Sequence, residues 1–148
     1  MGKARSAELL IQLYDLRREK VMREARNWIG TFNPKSAEEF VQTMTDPDVG
    51  GYLRMVISYW DMAASFVNHG AIDAQMFDDA NGEHVFVYCK IRPLLPELRA
   101  MFDMNNYLAN LEKVVLDLPD AEERIAKVEG WIRMGEDSGQ EEAEGQSG

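Results

Sequence analysis

The sequence predicts an all-α fold, a single-domain bundle of about five or six helices. Three observations carry this. Residues 52–69 are apolar in almost every direction of a helical wheel. Residues 84–102 repeat Val87, Ile91, Leu94, Leu98 and Met101 at helical spacing. No stretch alternates apolar and polar long enough to make a strand; the one β-leaning run, Val85 to Tyr88, continues at helical spacing.

The chain opens Met1-Gly2-Lys3-Ala4-Arg5-Ser6, a loose match to a myristoylation pattern, but a simple helix start with Ser6 as N-cap accounts for it. From there a long N-terminal helix is expected through Ile29, striped by Leu9, Leu13, Leu16, Val21, Ala25 and Trp28. It is longer than a compact domain needs, and such a helix often packs on another copy of itself. Leu9, Leu13 and Trp28 are therefore the candidate interface of a homo-oligomer, most simply a dimer. Asn33-Pro34 breaks the chain, and Ser36 with Glu39 forms a capping box for a short third element.

Gly50-Gly51 leads into the central helix, 52–69. Its polar residues, Arg54, Ser58, Asp61, Ser65, Asn68 and His69, share one narrow arc, so the helix should be packed on most sides with Trp60 in the core. Gly70 is the expected left-handed stop, and Asp73 can cap a turn or two through Phe77. The helix at 84–102 carries Pro93 and Pro96. Each removes an N–H, so its axis should kink or restart there. Leu108, Leu111, Val115 and Leu118 stripe a further helix, and Ile125, Val128, Trp131 and Ile132 bury the last. The expected domain is 1–134. Residues 135–148 hold five acids, no base and no apolar anchor, and read as a disordered acidic tail.

The single cysteine allows no internal disulfide and suits a reducing, cytoplasmic setting. No apolar run approaches the roughly 20 residues of a membrane span. A net charge of −10 makes nucleic acid a poor partner. His69 and His84 have no second ligand at a metal-site offset, and the acidic runs at 46–51 and 78–83 fail the calcium-loop pattern. Phosphate loops, nucleophile elbows and paired CxxC motifs are missing from the chain, so neither metal nor cofactor is expected. A catalytic reading would need His84, Cys89 and a carboxylate to converge.

One constellation could bind something. Asp61 stands on the narrow polar strip of the central helix, while Tyr88, Arg92 and Arg99 line one face of the proline-interrupted helix. If the faces meet, Asp61 and an arginine would form either a register-fixing salt bridge or the floor of a small polar pocket between helices 52–69 and 84–102.

The order Tyr59-Trp60, Asp61-Met62-Ala63, His69-Gly70-Ala71-Ile72-Asp73, then Tyr88 through Ile91-Arg92-Pro93 and Arg99 resembles the DUF4760-type bacterial proteins. The resemblance covers the middle third to half of the chain. It implies a small bacterial helical protein without an established activity; many such proteins carry a membrane helix ahead of the domain, whereas the first helix here is amphipathic and charged. Three function classes follow from all this. The leading expectation is a protein-interaction or self-assembly module. The others are a small-ligand or sensor domain around Asp61, Tyr88, Arg92 and Arg99, and an enzyme built on His84 and Cys89.

Overall fold

A computed structural model describes residues 2–146, and the elements over them are helical. They are α1 (Lys3–Arg17), α2 (Lys20–Ile29), α3 (Ala37–Met44), α4 (Gly50–Asn68), α5 (Ala74–Ala80) and α6 (Glu83–Ile91). A 3-10 turn (Arg92–Leu94), α7 (Leu95–Phe102), α8 (Ala109–Leu116) and α9 (Ala121–Gln146) complete the chain. These are more helices than the five or six expected, because two long stretches are each divided and short helices such as α5 stand as elements of their own.

The first division falls at Arg18-Glu19. A continuous apolar stripe gives no reason for a break there. The Glu19 carboxylate supplies one by accepting hydrogen bonds from Val21 N and Met22 N at 3.1 and 2.9 Å, which caps a new helix. The expected single helix through Ile29 is thus two. Ser6 is not its cap. The helix starts earlier, and the buried Ser6 hydroxyl instead accepts a hydrogen bond from Asp73 N, tying α1 to the start of α5.

The second division follows the prolines. α6 ends at Ile91, Pro93 sits in the 3-10 turn, and Pro96 occupies the first turn of α7, where its missing N–H costs nothing.

α4 is the hub, packed against α2, α3, α5 and α8. Leu53, Val56, Trp60, Ala63 and Ala64 are essentially inaccessible. One flank stays open: Met62 and Phe66, one turn apart, are 39% and 36% exposed, so the helix is less enclosed than its composition suggests. Gly50 begins α4 against the end of α3; a Cβ there would lie 2.5 Å from the Met44 carbonyl oxygen, so only glycine fits. Gly70 stops α4 with φ +79°.

α6 packs on α8 and α9. α9 runs on through Gln146, across the stretch expected to be disordered, and Glu136 pairs with Lys35 at 3.0 Å. Residues 147 and 148 of the expected tail lie outside the described residues. Trp131, expected in the core, is 56% exposed with Lys127 over its ring.

Candidate functional site

The four polar residues singled out by the sequence do not come together at one point. Asp61 meets no arginine. Its carboxylate accepts a hydrogen bond from Leu111 N at 3.0 Å, in the first turn of α8. α8 needs that partner: its own N-cap is Leu108, a left-handed residue (φ 56°) whose side chain accepts nothing. Asp61 therefore caps a neighbouring helix, and Asn68 Nδ2 donates to Asn110 Oδ1 beside it.

Arg92 reaches the other way, to Glu129 on α9 at 3.2 Å. Arg99 pairs with Glu112 at 3.1 Å and donates to the Tyr107 carbonyl. Tyr88 is buried, and burial, with Glu112 next, pushes its hydroxyl pKa up. Tyr88 and Arg99 thus share Glu112 on α8, whereas Asp61 and Arg92 tie other elements together.

Of the expected interface residues, one is taken into the core. Leu13 is only 7% exposed, and its carbonyl accepts the Tyr59 hydroxyl at 2.6 Å, so it belongs to the core. Leu9 is half-buried. Trp28 stacks on Phe32 at 4.9 Å.

His84 and Cys89 lie on the same helix but open to different places. Cys89 borders a surface pocket beside Pro93, Glu129 and Arg133. Burial, reinforced by Glu129, pushes its thiol up to about 11, which keeps it protonated and unreactive at neutral pH. His84 is 1% exposed, with its ring against Phe77 at 4.9 Å and Trp60 at 5.6 Å. Neither ring nitrogen has a hydrogen-bond partner in the protein. Burial depresses its pKa to about 4, against the opposing pull of Asp78, so the ring is neutral at pH 7.

Two further arrangements have no clear signature in the sequence. Lys90 is 7% exposed on α6, and its ammonium donates to the carbonyls of Ile29, Gly30 and Phe32 and to Asn33 Oδ1, all within 3.1 Å. It closes the C-terminus of α2, where the last carbonyls lack intrahelical donors and the helix dipole favours a cation. Burial lowers its pKa to about 8, against the opposing pull of Glu136. Glu83 bridges Arg26 (2.7 Å) and the Trp60 indole (3.4 Å), joining α2, α4 and α6. Among the described residues no group of three or more His, Cys, Asp and Glu could hold a metal ion, and no helix is long and apolar enough to cross a membrane.

The fold and its cross-links define a small all-helical bundle organised around α4 and α6. The chain belongs to the DUF4760 family, described as a domain of unknown function, whose model matches residues 4–118. That match takes in α1 through α8, well beyond the central stretch that carries the resemblance in sequence. No curated protein and no solved structure matches the chain.

Proposed function

We propose that this protein is a helical interaction module that self-associates, with α1 supplying the contact. The observation that carries the reading is the outward face of α1, where Ile11 is 67% and Tyr14 54% exposed. Large apolar side chains at that exposure, next to each other on one helix, mark an interaction surface more often than isolated ones do.

Ala4, Ala7, Ile11, Tyr14 and Arg18 follow alternating spacings of three and four residues, which sets them on one stripe of the helix. All are exposed or half-buried. A second α1 running antiparallel about a twofold axis near Ile11 sets Ala7 opposite Tyr14 and Ala4 opposite Arg18. Each small residue then receives a large one, and the Arg18 stem covers the alanine while its head stays wet. The flanks carry both signs, with Arg5, Glu8 and Asp15, so like-charge repulsion does not oppose the pairing.

Sedimentation velocity over a concentration series tests the reading. Wild type is expected to show a monomer–dimer equilibrium, and Ile11→Glu with Tyr14→Glu to sediment as a monomer with an unchanged helical circular dichroism spectrum. A double variant that still dimerises, or a wild type that stays monomeric throughout, defeats the proposal.

A further inference from the structure

We infer that the pocket between the end of α4, α5, α8 and the start of α6 binds a small neutral molecule, with His84 as its hydrogen-bonding partner. The pocket encloses about 410 Å³, the size of a small-molecule site. Val67, Phe77, Val114 and Leu118 give it apolar walls, and His84 forms part of the lining.

Two independent facts meet here. The first is the concave apolar space. The second is that a side chain 1% exposed borders it with two ring nitrogens that nothing in the protein satisfies. A buried polar group without a partner is costly, and cores seldom keep one. Phenylalanine would fill the same position beside Phe77 and Trp60 without that cost. What histidine adds is one N–H donor and one lone pair.

The surroundings select the class of occupant. A neutral imidazole offers a donor on one nitrogen and an acceptor on the other, and a carboxamide or a hydroxyl, which both donates and accepts, serves whichever of the two it reaches. A carboxylate could only accept from the ring N–H and would face Asp78 and Asp117 of the lining, which pair with Arg124 and Lys113. A cation could only donate to the ring lone pair and would meet the positive charges of Lys113, Arg124 and Arg17 near the ring. The occupant is therefore a neutral molecule with an apolar body and a head that both donates and accepts. The inference is independent of α1-mediated assembly.

The test uses benzamide as probe, with benzoate and benzylamine as charged counterparts of the same shape. The chain has two histidines, so long-range nitrogen–proton spectra of the imidazoles read His84 directly, with the exposed His69 as internal control. Benzamide is expected to shift the His84 nitrogens saturably and leave His69 unmoved, with the two charged probes at least about tenfold weaker. His84→Phe should weaken benzamide binding by about tenfold or more, read by calorimetry. Ala74→Trp, at the pocket lining, should abolish the shift while leaving His84 in place, and carries the test alone if His84→Phe does not fold. An unmoved His84 up to the solubility limit means that water alone occupies the space and overturns the inference. Equal affinity in His84→Phe, an unimpaired Ala74→Trp, or tighter binding of benzoate than of benzamide overturns it as well.

Discussion

Acidification should destabilise this protein through His84 before most of its carboxylates protonate. The ring is packed against Phe77 and Trp60, and burial holds its pKa at about 4, against 6.5 when unfolded. Between those two values the unfolded chain binds a proton at this site and the folded chain does not. Stability therefore falls as pH falls across that window, and is complete above pH 6.5. A separation of about 2.5 units corresponds to about 3 kcal/mol, a large part of the stability of a domain this size. The assay is urea denaturation at several pH values from 7 to 4.5 on wild type and His84→Phe. Carboxylate titration is common to both, so their difference isolates His84. Wild type should lose about 2 kcal/mol more than the variant by pH 5, where about 1.5 of those units have been crossed. Parallel loss in the two proteins would show that the imidazole is solvated or paired, and the reasoning on its burial would fail.

Three further outcomes follow from the cross-links. Lys90→Met keeps the buried stem but leaves the Gly30 and Phe32 carbonyls and the Asn33 amide oxygen without the ammonium donor, Ile29 keeping the Phe32 amide, and should cost about 2–4 kcal/mol in urea denaturation. Relief of the buried charge keeps the loss from being larger, and a neutral result would mean that water already serves those oxygens. Asp61→Ala should cost about 1 kcal/mol and speed hydrogen exchange at the Leu111 amide specifically, since the carboxylate caps α8 there. Gly50→Ala should cost about 1–3 kcal/mol in thermal denaturation, because its new Cβ meets the Met44 carbonyl rather than a side chain that can move.

Helical architecture was readable because periodicity and punctuation agreed. The apolar sweep of α4, the stop at Gly70 and the prolines after Ile91 each have a local cause, and local causes leave local signatures. The break between α1 and α2 left none. Glutamate is an uncommon N-cap, and neither proline nor glycine marks the site, so the stripe read straight through. Asp61 stood out as the lone acid on a nearly apolar helix, yet its partner is a backbone amide, which every residue carries and no sequence advertises. Lys90 was missed for a similar reason. A lysine on an amphipathic helix reads as solvated, and only the approach of the α2 C-terminus makes it a buried cap. His84 was noticed for metal or nucleophile chemistry, whereas its unsatisfied nitrogens depend on which neighbours pack around the ring. Leu13 and Ile11 lie two residues apart, and which of them faces outward was set by where α1 docks on α4 and α5.

The most direct measurement is oxidative cross-linking of Ile11→Cys. An antiparallel α1 pair centred near Ile11 brings the two introduced thiols together across the twofold axis, while the native Cys89 is buried and does not compete. Mild oxidation should give a covalent dimer in high yield at micromolar protein, and Asp48→Cys, exposed on the loop before α4, should give little. A covalent dimer formed equally from both positions, or from neither, would contradict assembly through α1.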